Sequence, residues 1–211
     1  MGKVYNLRAS MISRVIGTDA YCSRQNYFEI LVGNKDEKPV NQEYTQHGKD
    51  CERYGIAEVM LHTGDLVHNC GLDLLGEQIN TQADYMSNND DSVILSCTPD
   101  GYIGDNHLVE IKAPYYVQDD AQKYIHRYLP QIYFQQYLTG KDGTWVCVYQ
   151  MNNSTIMYIP KNEKYVHDFM FPKIFEFSTY LLKGEMDKNF KTKRTHKKEF
   201  IYDGELDVQV A

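Results

Sequence analysis

The sequence predicts an α/β fold in which a central mixed β-sheet is flanked by helices. Three observations carry that reading: helical periodicity at both ends of the chain, short β-rich segments in the middle, and one helix inserted between them. At 211 residues the chain suffices for one well-buried core and is short for two, so a single domain over residues 1–187 with a tail over 188–211 is expected.

Taken in order, Ser10 can cap a short turn carrying Ile12, Val15 and Ile16. Tyr27, Ile30 and Leu31 then recur at helical spacing before Gly33 and Asn34 stop the run, which predicts two helices. A linker near 35–42 leads to a longer helix from about Glu43 to His62, with Cys51, Ala57, Met60 and Leu61 as its apolar face and Gly64 as its stop. Residues 66–85 read as short strands with turns. Ser92–Ser96 is β-rich, Thr98-Pro99-Asp100-Gly101 is a turn sequence, and His107–Lys112 alternates apolar and polar residues before Pro114, so these segments are expected to form a hairpin. A helix from about Asp119 to Leu138 closes at Thr139-Gly140. Strands over Thr144–Gln150 and Thr155–Pro160 are joined at Asn152-Asn153. The last helix, about Glu163 to Lys183, carries Val166, Phe169, Met170, Ile174, Phe177 and Leu181 on one side.

Bulk properties narrow the function. No apolar run approaches the roughly 20 residues a membrane span needs, and the first residues lack the apolar stretch of a secretory signal, so an intracellular protein that is not secreted is expected. Five cysteines (Cys22, Cys51, Cys70, Cys97 and Cys147) are scattered with no CxxC spacing, which argues against a disulfide framework and against a zinc or iron–sulfur site. A formal net charge of −7 counts against a nucleic-acid partner on average. Lys and Arg nevertheless concentrate from Lys188 to Lys198, so the tail is basic before it turns acidic.

Period-two alternation in His107–Lys112 sends Val109 and Ile111 to one face and Glu110 and Lys112 to the other. Asp100, one turn earlier, can reach the same sheet edge. Two hard carboxylates invite a hard cation such as magnesium, which keeps waters and leaves room for a phosphate oxygen. The Lys112 ammonium can stabilise charge developing on a phosphate or, with a lowered pKa, help to deprotonate a water. Either half alone reads as ordinary structure, a β-turn or a solvent-facing strand pair. A Pro-Asp followed by Glu-x-Lys on adjacent segments resembles the PD-(D/E)xK phosphodiesterases, whose fold has a restriction-endonuclease-like core.

Further segments resemble one family of that group, the phage lambda exonuclease and YqaJ-type viral recombinases. They are Leu7-Arg8-Ala9-Ser10-Met11 through Gly17, His47-Gly48-Lys49-Asp50-Cys51-Glu52, Thr98-Pro99-Asp100-Gly101, Leu108-Val109-Glu110-Ile111-Lys112-Ala113-Pro114, and Tyr128-Leu129-Pro130-Gln131-Ile132-Tyr133 to Thr139-Gly140. They fall in the family's order, over residues 7 to 183.

The resemblance implies a magnesium-dependent exonuclease that hydrolyses one strand of linear double-stranded DNA from its end, 5′ to 3′, leaving a 3′ single strand. Manganese could substitute, and two ions are expected with substrate bound. Asp100, Glu110 and the main-chain carbonyl of Ile111 would hold metal, with Lys112 beside the attacking water, Glu52 assisting metal or water, and Gln131 orienting the catalytic groups. Ser10 is similar to the residue that contacts the terminal 5′-phosphate. Departures are visible: the second Gln of the family's QxQ pair is Tyr133 here, and the upstream Arg of its phosphate site is missing, with Lys3 or Arg8 as stand-ins. A single-strand annealing protein, a ring-shaped homo-oligomer, and a setting in the cytoplasm or nucleus of an infected host are implied as well. The rival readings are a structure-specific or restriction-like endonuclease on the same core and an inactive DNA-end-binding module.

Overall fold

In the computed structural model, the described residues are 2–187 apart from Asn89 and Asn152, together with the backbone of the two-residue strand Gln209–Val210. The expected basic and acidic tail otherwise lies outside them. The chain opens on a strand that the sequence reading did not anticipate, β1 (Val4–Arg8), whose Tyr5 and Leu7 point inward and whose alternate residues point out. A 3₁₀ turn (Ala9–Met11) leads to α1 (Ile12–Ile16), α2 (Arg24–Val32) and the 22-residue α3 (Gln42–Thr63). Strands β2 (Thr81–Ser87), β3 (Ser92–Cys97), β4 (Gly101–Ile103) and β5 (His107–Lys112) follow, then α4 (Ala121–Ile125), α5 (Leu129–Thr139), β6 (Gly143–Val148), β7 (Thr155–Pro160), α6 (Phe171–Lys183) and β8 (Gln209–Val210).

The strands form two sheets. One has the order β1-β3-β2, with β1 parallel to β3; the other runs β4-β5-β6-β7-β8, with β5 parallel to β6 and the remaining pairs antiparallel. The α/β class is as expected, but the hairpin is not where the sequence put it. β3 belongs to the first sheet, and the partner of β5 is the three-residue β4, paired Gly101 to Val109. Pro99 explains the change: it has no N–H to continue a ladder, so β3 ends and a new strand begins at Gly101. Residues 66–85 hold a single bridge (His68 to Tyr102), a 3₁₀ turn and β2.

Helices cover both faces. Ile56 and Val59 of α3 pack on Val109, Ile111, Cys147 and Ile156, while α1, α2, α5 and α6 bury a larger core that includes Phe134 and Phe177. The expected apolar face of α3 holds at Met60, which packs with Ile56 and Val59, but not at Ala57 and Leu61. Leu61 is 81% exposed and Ala57 is exposed, and the buried residues are Gly55, Ile56 and Val59. Gly55 permits the contact, because a Cβ there would lie 2.4 Å from Ile111 Cγ2. Two other expected helices are interrupted by proline, which removes a helical N–H and crowds the carbonyl four residues back. At Pro130 the run divides into α4, a 3₁₀ turn and α5; before Pro172 a π-helical turn (Tyr165–Met170) precedes α6. The inward face of the last helix is otherwise as expected, with Phe169 only partly buried and stacked on Tyr165.

Candidate active site

The alternation along β5 sets Ile111 against α3 and turns Glu110 toward α5. Glu110 is 2% exposed, so its charge needs partners close at hand. It has three: Oε1 accepts from Gln131 Nε2 at 2.7 Å and from Lys112 Nζ at 2.5 Å, and Oε2 accepts from Gln135 Nε2 at 2.8 Å. Lys112 Nζ also lies 4.6 Å from the centre of the Tyr128 ring, a cation–π contact that fixes the ammonium from its far side.

Asp100 enters from the break between the sheets. Its N–H donates to Val109 O at 3.1 Å, and its Oδ2 accepts from Ile111 N at 2.6 Å. The side chain thereby continues the ladder past the end of β4. The N–H and C=O of a strand residue point to the same side, so the Ile111 carbonyl faces the Asp100 side as well. Glu52, on α3, completes the group at longer range, with its Oε1 held by Gln78 Nε2 at 3.0 Å.

The charges are unbalanced, three carboxylates against one ammonium. Burial pushes the Asp100 carboxyl well above its ordinary range, and Glu110 and Glu52 push it the same way against the pull of Lys112. Burial, with Glu110 behind it, also raises Glu52. Burial alone would lower Lys112, but Glu110 and Asp100 outweigh it and raise the amine above its usual value. In the absence of metal, the direction is thus opposite to the lowered lysine pKa considered from sequence.

Beside Gln131 and Gln135 opens a polar cavity of about 390 Å³, lined also by Arg8, Ser10, Ser96 and Thr98. Ser10 is exposed within the 3₁₀ turn and makes no capping bond; the extended residue at the turn's start is Arg8, so the N-cap expectation fails. Arg8 and Ser10 are brought to the cavity and Lys3 is not. Lys3 sits at the other end of β1, its carbonyl accepting from Ser92 N, roughly 16 Å away at the usual strand rise. Sequence reasoning assigned no role to Gln135, Tyr128 or Gln78. Gln135 was findable, since four residues after Gln131 it must share that helix face; Gln78, on a connecting segment, carried no local signal.

Residues 5–142 match the model of the YqaJ-like viral recombinase domain. The chain belongs to that family. Its fold is similar to that of an alkaline exonuclease (LHK-Exo) from Laribacter hongkongensis, with a TM-score of 0.59 and 20% identity over 85% of this chain and 89% of that one. It also resembles a phage related exonuclease from Haemophilus somnus 129PT, with a TM-score of 0.57 and 11% identity over 84% and 94% of the two chains. No curated protein sequence matches the chain. Among the described residues, no helix of this YqaJ-like domain is long and apolar enough to cross a membrane.

Proposed function

We propose that the protein is a metal-dependent deoxyribonuclease that degrades one strand of linear duplex DNA from its end, 5′ to 3′, and leaves 3′ single strands for annealing. The observation that carries the reading is the convergence of Asp100, Glu110 and Lys112 next to a polar cavity, in a chain of the YqaJ-like family. Family and fold support the nuclease.

The donor set fits a hard divalent cation. Among the described residues no three His, Cys, Asp or Glu side chains converge as a metal cluster. Asp100 and Glu110 would therefore share the cation with the Ile111 carbonyl and water, the sparse oxygen ligation that magnesium favours and manganese tolerates. Burial first, and repulsion from Glu110 second, lift the Asp100 pKa, and such an ion would offset both. When bound, the ions, two with substrate present, supply charge neutralisation at the phosphate and a more acidic water.

The protein's own groups do the rest. Gln131 and Gln135 hold Glu110 in one orientation, each with an N–H on a different oxygen, so the carboxylate does not rotate. Lys112, hydrogen-bonded to Glu110, would stabilise charge developing on the phosphate, an effect worth most in a site screened from water. Glu52 lies within electrostatic reach of the three and is placed to accept a proton from water. Arg8 and Ser10 are the cavity groups suited to a terminal 5′-phosphate, which favours Arg8 over Lys3 as the stand-in for the missing arginine.

The decisive assay digests a linear duplex labelled separately at each end, with and without 5′-phosphate, in magnesium, beside a closed circle of the same sequence. Mononucleotides released from 5′ ends with the circle intact are expected. Cutting of the circle would instead indicate an endonuclease, and no cleavage would leave an end-binding module. Calcium, whose looser coordination positions water poorly, is expected to support binding without cleavage.

A further inference from the structure

Three residues beyond Lys112, the chain leaves the sheet and displays a cluster of rings that the hydrolytic machinery does not use. Tyr115 lies 4.7 Å from Tyr44, 5.4 Å from His47 and 5.2 Å from Tyr116, ring centre to ring centre, and the Tyr44 and Tyr116 hydroxyls are 3.0 Å apart. These rings are not core. Tyr44 is 42% exposed, Tyr115 47% and Tyr116 65%. Two of the four come from α3 and two from the segment after β5, so they bridge the elements that supply Glu52 and Lys112.

The position relative to the carboxylates sets what the rings can meet. At the helical rise of 1.5 Å per residue, His47 and Tyr44 stand about 7 and 12 Å along α3 from Glu52. With stacked bases about 3.4 Å apart on one strand, that is within roughly four nucleotides of the reacting bond. The polar cavity lies on the α5 side of β5, where Glu110 points, whereas α3 packs on the opposite face through Ile111. A strand that ran from the cavity past the carboxylates toward the N-terminal end of α3 would meet the rings there.

Charge argues for contact through bases rather than phosphates. Along the stretch of α3 that carries His47, Lys49 is offset by Glu43 and Asp50, so that stretch offers no excess of cations to a backbone. An aromatic face, by contrast, accepts any base, because every base has a π-face.

We propose that Tyr44, His47, Tyr115 and Tyr116 form a platform on which unpaired bases of a DNA strand stack as that strand passes the active site. The proposal rests on the nuclease reading for its geometry, yet single-strand binding is measured without hydrolysis, so the two fail separately. The experiment is fluorescence anisotropy of a labelled ten-nucleotide oligo-dT in EDTA, beside an abasic oligomer of equal length. The proteins compared are the wild type, Tyr115→Ala/Tyr116→Ala and Tyr115→Phe/Tyr116→Phe. The alanine pair is expected to weaken oligo-dT binding about tenfold or more. The phenylalanine pair should retain it, since stacking needs the ring and not the hydroxyl, and the abasic oligomer should bind the wild type as poorly as oligo-dT binds the alanine pair. Equal affinity of the wild type for the abasic and the base-bearing strand would overturn the platform without any variant. So would undiminished oligo-dT binding by the alanine pair.

Discussion

Glu110 shows how one buried charge organises the site. Its two oxygens take three donors, and Gln135 is the one that serves Oε2. Replacing Gln135 with Leu leaves that oxygen without its buried donor. A hydrogen bond to a charged group is worth about 1.5–3 kcal/mol, so turnover should fall roughly 10- to 100-fold with the melting temperature moved by only a few degrees; wild-type turnover in Gln135→Leu would show that Gln131 orients Glu110 alone. Lys112→Ala is expected to cost at least about 100-fold in cleavage while sparing DNA-end binding in calcium. Asp100 yields a prediction about stability. Folding raises its pKa above the ordinary 3.8, so the folded chain holds that proton more tightly than the unfolded one. The associated stabilisation is complete below about that pH and is lost as pH climbs through the folded value. Metal-free protein should therefore gain stability from Asp100→Asn at pH 8, read as a higher melting temperature, because the amide still accepts from Ile111 N. Magnesium is expected to raise the melting temperature of the wild type more than that of Asp100→Asn at pH 8, and equal shifts in the two would argue against Asp100 as a metal ligand.

At the level of elements, what the sequence made legible depended on whether local pattern and tertiary context agreed. The alternation in β5 placed Glu110 and Lys112 on one face, and the four-residue spacing in α5 placed Gln131 and Gln135 together; both are periodicities that survive into the fold. The break between β3 and β4 was misread because Thr98-Pro99-Asp100-Gly101 suits a hairpin turn as well as a strand that changes sheets, and only the pairing of β3 with β1 decides between them. β1 itself was overlooked although Tyr5 and Leu7 alternate, since five residues are too few to announce a strand alone. The face of α3 was misjudged for a steric reason: its most important residue, Gly55, has no side chain to count. Gly55→Ala should force α3 and Ile111 apart and cost about 1–3 kcal/mol, seen as a lower melting temperature with a loss of activity, since the same helix carries Glu52. An unchanged melting temperature would mean that the helix yields at little cost.

For the molecule as a whole, the difficulty is charge. A chain with a net charge of −7 must still hold DNA, and the site adds three carboxylates where phosphates would lie. Bound metal ions would offset the carboxylates locally but not the rest of the surface. The sequence holds one concentrated reserve of cations, the six Lys and Arg residues between Lys188 and Lys198, which lie outside the described residues. If they contact phosphates, each contact releases a counterion, and the slope of log affinity against log salt changes by about 0.9 per contact on duplex DNA. Replacing the six with Gln should then weaken duplex binding in low salt and flatten that slope by several units, with cleavage of a short saturating substrate preserved because no catalytic group is touched. A slope identical to wild type would assign the salt-sensitive part of DNA retention to cations of the folded domain, Arg8 at the cavity among them.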